Sequence, residues 1–486
     1  MWRLSLSPDV SEAGMGGGNT GIQLGIVRGI SYGVFGAPGI FMPQIRELGS
    51  RLARVYLTWN QIEPQPGSYD WSAVDALLGQ LGPGDRLWIT VVTASRWATR
   101  QATDFLPASM PRDVAAYQLF LGALVSHCRG AVAYWQCNNE PSNAGLWSGS
   151  AADYADLATV FARTVRNADP DAQIVLGGCG FDVLGSNAGS EQRAFFDEVL
   201  ARAGDAFDVF DVHLYDAPQR IPAHIEDARA MMRLRGIDRP VVVGEYGGPT
   251  LLGFPELDSV MQSVMMEAFA DGEPSLDSAD LAAQGEMPDR RAMRALYGKM
   301  AELPPTLQMF MQGCPPALEA RRHRIACREI VTRNLLAMAG GVTLTLAWNL
   351  APEVPNYRDP FNLMGFISDK LALLSYQHDE LSRREPAAET FARFAALMSD
   401  ATAVRRVDTD LGIVAMEVTR ERGPLFVFWA EADPFTGEDE PPKLIEWPWA
   451  ADTAHVCDVF GISRDARPAS GHLSLGVSVT PLLVSA

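Results

Sequence analysis

The chain has 486 residues, 47% of them apolar and 20% charged. This is an ordinary globular balance that excludes wholesale disorder and collagen-like or low-complexity sequence. With 59 acidic side chains against 40 Lys and Arg, the net charge is −19. Such a chain repels phosphate backbones, so neither nucleic acid nor an anionic membrane is expected as a partner.

The opening stretch MWRLSLSPDVSEAGMGGGNTG holds one Arg and no apolar core. It does not read as a secretory signal, and a cytoplasmic protein is expected. Residues 1–24 read as a flexible lead-in. The cluster Gly14–Gly21 follows no strand and contains no G-K-[ST], so it is not a nucleotide-binding loop.

From about Gly25 to Asn349, short β-rich runs alternate with helical patterns. The runs are Ile30–Phe35, Leu52–Trp59, Leu87–Ala94, Val132–Asn138, Ile174–Gly178, Phe207–Tyr215, Val241–Gly244 and Val342–Trp348. Most are continuously apolar, which marks strands buried on both faces. Helical segments such as Met110–Cys128, Ala151–Asn167 and Ile221–Arg235 lie between them. Eight strand–helix units joined by right-handed crossovers predict an α/β fold, a closed (β/α)8 TIM barrel over residues 25–398. An open doubly wound sheet is the alternative, but its glycine fingerprint is missing. The uncharged stretch Leu335–Pro352 is interrupted by Gly340-Gly341, Thr343, Thr345 and Asn349. It reads as a buried helix end feeding a buried strand, not as a membrane span.

The connection between the seventh and eighth strands is far longer than a barrel needs. Residues 249–316 form a Met-rich insertion, predicted to be helical. It reads either as an extra helical layer with Met as filler or as a cap over the barrel mouth. Leu257, Met261, Val264 and Met265 recur at helical spacing and are expected to bury against the barrel rim. Pro386–Met398 is predicted as the last barrel helix. From residue 399 to 486 the runs VRRVDT, GIVAMEV, LFVFWAE, KLIEW, AHVCDVF and HLSLGVSV predict an antiparallel β-sandwich. The acidic loop Glu431–Glu440 is expected to be a solvated turn. The six cysteines form no C-x-x-C and are widely spread, so free buried thiols are expected rather than a disulfide framework. No metal or organic cofactor is expected.

In a barrel of this kind, chemistry sits at the C-terminal ends of the strands. Strand four ends in Asn138-Asn139-Glu140-Pro141 and strand seven in Gly244-Glu245-Tyr246-Gly247. Strand six ends in His213-Leu214-Tyr215, strand two carries Arg54, and strand eight ends at Trp348. Two carboxylates among aromatic rings at one mouth suit glycoside hydrolysis. One protonates a leaving oxygen, and the other attacks an oxocarbenium-like centre or activates water against it. Aromatic faces stack on sugar C–H groups. Other roles exist for these residues. A Glu before Pro caps helices, a lone His is often a satisfied core residue, and Trp97 and Trp147 suit packing as well as subsite walls.

These motifs resemble those of the clan A glycoside hydrolases, with families 39 and 5 nearest. The resemblance covers roughly Gly25–Met398 and includes the stretch VYLTWNQIEPQPGSYDW. It departs at strand three, where some members place a His and this chain has Ser95-Arg96-Trp97. The resemblance implies a retaining mechanism with Glu140 as acid/base and Glu245 as nucleophile. It also implies Asn139 on the sugar 2-hydroxyl, Tyr215 and Arg54 hydrogen-bonded to Glu245, and Trp348 as subsite floor. His213 and Trp97 complete the expected substrate-binding set. The expected partner is an oligosaccharide or glycoside, with exo action or short-oligosaccharide specificity. The alternatives are a non-catalytic carbohydrate-binding barrel and a structural scaffold.

Overall fold

Eight parallel strands close into a barrel in the computed structural model: β1 (Gln23–Val27), β2 (Leu52–Thr58), β3 (Arg86–Val92), β4 (Val132–Cys137), β5 (Gln173–Cys179), β6 (Val209–Leu214), β7 (Val241–Tyr246) and β8 (Leu344–Ala347). Each strand pairs with the next, and β8 pairs with β1 through Gln23↔Leu344 to Ile26↔Ala347. The structure describes residues 21–34, 38–185, 189–268, 288–353, 361, 363–377, 380–409 and 412–486. Most of the expected lead-in, residues 1–20, and the side chain of Met265 therefore lie outside the described residues.

Seven of the eight expected runs coincide with barrel strands to within a few residues. The first does not. Ile30–Phe35 was expected to be a strand, but β1 is Gln23–Val27 and the chain leaves it at Gly29, whose φ is +108°. The Ile30 and Ser31 N–H groups donate to the Glu353 carboxylate, at 3.0 and 3.1 Å, instead of to a neighbouring strand. A side-chain acceptor from the segment after β8 thus takes the donors that a ladder would need.

The helices between strands follow from their caps and apolar faces. Ala151–Ala168 opens on a capping box between Ser150 and Asp153, which satisfies two otherwise orphaned donors. Val114–His127 is capped by the Asp113 carboxylate on the Ala115 N–H. Pro386–Met398 is a helix over its full expected span.

The insertion after β7 is helical, with Asp258–Ala268 and Pro288–Gly298 as its longest described pieces. Its apolar positions do not bury against the barrel strands. Leu257, Val264, Met293, Met309, Phe310 and Met311 build a core of their own, closed by Ile325, Leu363 and Phe366. An insert of this length carries enough apolar surface to form a satellite core, and Met fills its irregular gaps.

C-terminal to the barrel, a hairpin of β9 (Leu374–Gln377) and β10 (Glu380–Arg384) precedes two antiparallel sheets. The larger sheet runs β11 (Ala401–Val407), β12 (Ile413–Arg420), β13 (Leu425–Ala430), β18 (Leu482–Ser485), β15 (Ala454–Asp458) and β16 (Ser463–Ala466). The smaller pairs β14 (Lys443–Pro448) with β17 (His472–Val477). Phe428, Trp449, Leu473 and Leu475 fill the space between them. Sequence patterning missed β16, a polar and exposed edge strand, and the short β18. The loop Glu431–Glu440 is not the solvated turn expected of it. Glu438 pairs with Arg324 at 2.6 Å and Arg328 at 2.8 Å, and Asp439 with Arg321 at 2.9 Å. These arginines lie on the helix Pro316–Ala339, so the acidic loop fastens the larger sheet to the barrel.

Candidate active site

Inward-facing residues alternate along each barrel strand. On β2 this places Arg54 and Tyr56 in the interior, on β6 Asp211 and His213, and on β7 Glu245. All five are buried. Buried charge is costly unless paired, and here every charge has a partner. Arg54 Nη1 lies 3.0 Å from Glu245 Oε1 and donates to the Gly244 carbonyl at 3.1 Å. Arg54 Nη2 donates to Asn139 Oδ1 at 2.7 Å, and Nε to Thr90 Oγ1 at 3.1 Å. The guanidinium lies 4.9 Å from the ring centres of both Tyr56 and Trp88, a cation–π sandwich that further compensates its burial.

Two phenols hold Glu245. Tyr215 donates to Oε2 at 2.7 Å and Tyr56 to Oε1 at 2.5 Å. Burial first, and the Glu245 charge next to it, push the Tyr215 hydroxyl well above its usual pKa. Burial likewise raises Tyr56, with Arg54 opposing and Glu245 adding. Both therefore remain O–H donors at any working pH.

Glu140 comes from the other side of the mouth. Asn138 and Glu140 both adopt left-handed backbone, with φ of +55° and +39°. Asn tolerates this conformation; for Glu it costs on the order of 1–2 kcal/mol. The turn is held where Asn138 Oδ1 accepts the Thr93 N–H at 2.7 Å. Strained backbone of this kind, held by its surroundings, aims the Glu140 carboxyl into the mouth.

His213 lies between the two carboxylates. Its Nδ1 is 2.6 Å from Glu140 Oε1 and 3.4 Å from Glu245 Oε2. Burial pulls the imidazole pKa down, but the charges of Glu245 and Asp211, with hydrogen bonds accepted by Asp211 and Glu140, outweigh it and push it up to about 10. Glu140, His213 and Glu245 each present an atom within 4.8 Å of the others, the one metal-type grouping among the described residues.

The structure thus gathers Arg54, Asn139, Glu140, His213, Tyr215 and Glu245 into one connected network. Trp348 borders it, its ring edge-on to Tyr56 at 6.4 Å between centroids. Trp97 is joined to other groups: its Nε1 donates to the Glu63 carbonyl and its ring meets Trp59. Trp147 is buried against Tyr154 and serves packing. Sequence reasoning missed Tyr56, Thr90, Gln136 and Asp211. The signal was present for two of them, since Tyr56 and Asp211 stand two residues from Arg54 and His213 and must share their face.

No family model and no curated protein matches the sequence. Solved structures do. The chain is similar to a family 39 glycoside hydrolase from the gut symbiont Bacteroides cellulosilyticus WH2, with a TM-score of 0.60 and 16% identity over 96% of this chain and 80% of that one. It is similar to a glucosidase from Croceicoccus marinus, at 0.54 and 13% over 96% and 97%. It is also similar to BuGH86 in complex with neoagarooctaose, at 0.53 and 13% over 96% and 75%. The likeness is one of fold, and it agrees with the clan A resemblance carried by the sequence motifs.

Proposed function

We propose that the chain is a retaining glycoside hydrolase acting on a β-glycosidic bond. One observation carries this: Glu140 and Glu245 approach from β4 and β7 with carboxylate oxygens within 4.8 Å of each other. Retaining enzymes hold their two carboxyl groups about 5 Å apart, whereas inverting ones leave room for a water between them. Glu245 attacks the anomeric carbon as the bond to the leaving oxygen breaks. That oxygen keeps the electron pair and takes the proton of Glu140. Water, deprotonated by Glu140, then releases the sugar and restores both groups. Arg54, Tyr56 and Tyr215 fix the Glu245 oxygens before the reaction, which lowers the reorganisation needed to reach the transition state. Because Asn139 Oδ1 is taken by Arg54, its amide nitrogen is left to donate to a sugar hydroxyl. The oligosaccharide in the BuGH86 complex is in keeping with a carbohydrate substrate.

A screen of nitrophenyl glycosides, followed by NMR of the first-formed anomer, tests this. Release of the β-anomer from a β-glycoside is expected; the α-anomer would mean inversion. Binding of sugars without any turnover would favour a non-catalytic carbohydrate-binding barrel.

Exo action, or a preference for short oligosaccharides, is a finer part of the same proposal. The insertion leaves the strand that bears Glu245, and its core is closed by Leu363 and Phe366 from the segment after β8. Loops following barrel strands line the mouth, so this one narrows the cleft from two sides. Mid-length oligosaccharides released from a polymer at early times would show an open cleft instead.

A further inference from the structure

Asp211 lies one layer beneath the catalytic carboxylates and is wholly buried. Nothing in the retaining mechanism calls for a carboxylate there. Its seat is nonetheless purpose-shaped. A Cβ on Gly244 would stand 2.2 Å from Asp211 Oδ1, and one on Gly178 would stand 2.3 Å from the His213 ring. Gly244 makes room for the carboxylate, and Gly178 lets the imidazole lie against β5.

The hydrogen bonds around Asp211 fix where the protons are. Oδ1 accepts the Gly244 N–H at 2.6 Å, and Oδ2 accepts Gln136 Nε2 at 2.9 Å. Oδ2 also lies 3.1 Å from His213 Nε2. That ring nitrogen has a second neighbour, Arg54 Nη1, at 3.2 Å. Arg54 Nη1 keeps the Gly244 carbonyl and the ion pair with Glu245 Oε1 as partners, whereas the Asp211 carboxylate can only accept and is satisfied by His213 Nε2 only if that nitrogen carries a proton. His213 Nε2 is therefore left to donate to Asp211. With Nε2 occupied, the ring meets Glu140 only through Nδ1, and a single proton lies in that 2.6 Å contact.

We propose that Asp211 is a positioning residue that holds the His213 proton on Nε2, so that the proton between His213 Nδ1 and Glu140 Oε1 is the one delivered to the leaving oxygen. Were Nε2 an acceptor, the ring proton would sit on Nδ1. A neutral imidazole does not give that proton up, whereas a ring that also holds a proton on Nε2 can pass the Nδ1 proton to Glu140 for delivery to the leaving oxygen. The other groups facing His213 do not do this work. Arg54 offers only donors, Glu245 lies on the Nδ1 side, and Asp182, on the loop after β5, is felt only through its charge. The assignment rests on Glu140 being the acid/base.

Asp211→Asn is the test. With Oδ1 still on the Gly244 N–H, the introduced amide nitrogen faces His213 Nε2 as a donor and inverts the tautomer. An inverted catalytic histidine is costly, and general acid catalysis is worth about 10²–10⁴-fold. Turnover of alkyl glycosides should fall about 10²-fold or more, and turnover of dinitrophenyl glycosides, which leave without protonation, by less than about 5-fold. Equal losses on both would mean a merely structural Asp211 and would overturn the proposal. A second measurement needs no substrate and reads the wild-type protein itself. Nitrogen-15 NMR of histidine-labelled wild-type protein, with the His213 signal identified by its loss in His213→Gln, should show Nε2 protonated at pH 7. An unprotonated Nε2 would overturn the proposal by itself. If Nε2 is protonated but no glycoside is turned over, it is the glycosidase assignment that fails and not the tautomer.

Discussion

The Tyr56 hydroxyl donates to Glu245 Oε1 at 2.5 Å, the oxygen opposite the one that Tyr215 holds. Glu245 is thus gripped at both oxygens by neutral phenols, with Arg54 supplying the positive charge. A hydrogen bond to a charged group is worth about 1.5–3 kcal/mol. Tyr56→Phe should therefore lower kcat/KM by roughly 10–100-fold while Tm moves by only a few degrees, since no buried donor is left stranded. An unchanged kcat/KM would reduce Tyr56 to packing.

Glu245→Gln keeps the shape of the side chain but removes the carboxylate proposed as the nucleophile. Turnover should fall by several orders of magnitude on every substrate. Mass spectrometry after treatment with a matching 2-fluoro glycoside should place the label on Glu245. A label on another carboxylate would displace it as the nucleophile.

Glu140→Ala should cripple substrates with poor leaving groups far more than dinitrophenyl ones. Azide, small enough to enter the space left by the side chain, should rescue the variant and give a β-glycosyl azide. An α-azide would contradict either the roles or the stereochemistry.

The His213 environment makes a prediction about pH and stability. Its pKa rises from 6.5 to about 10 on folding. A raised pKa contributes stability that is complete below the unfolded value and lost as pH climbs through the folded one. The difference in Tm between wild type and His213→Gln should therefore shrink from pH 7 to pH 10. A difference that stays constant over that range would show that His213 does not titrate within it.

The loop bearing Glu438 and Asp439 provides a test away from the site. Glu438 meets both Arg324 and Arg328, and Arg328 is almost fully buried. Glu438→Ala leaves that cation without its carboxylate, at a cost between that of an exposed and a buried pair, about 1–3 kcal/mol. Urea unfolding should show the loss, and kcat on a small aryl glycoside should hold. An unaltered unfolding midpoint would mean that the loop is not fastened there.

Much of the barrel was legible because its signals are local. Continuous apolar runs such as Leu87–Ala94 leave a strand little choice but burial on both faces, and Ser150 with Asp153 announces a helix start within four residues. The ends of β4, β6 and β7 could be read as one constellation because the fold brings strand ends together wherever they lie in the chain. The first strand was misplaced because Ile30 and Ser31 give their N–H groups to Glu353, more than three hundred residues away. The docking of Glu438 and Asp439 was missed for a similar reason: an acidic turn looks solvated until the arginines it meets are known.

By itself, the sequence determined the barrel and the helical nature of the insertion and singled out Glu140 and Glu245 as candidates, since periodicity and strand-end motifs are properties of short segments. Only the tertiary structure decided how those carboxylates are served. Strand alternation places Tyr56 and Asp211 on the face of Arg54 and His213 but does not show what they hold, and Gln136 looks like an ordinary strand residue. They become part of the site because closing the barrel turns one face of β2, β4 and β6 into a single interior, where each buried polar atom must find its partner on another strand.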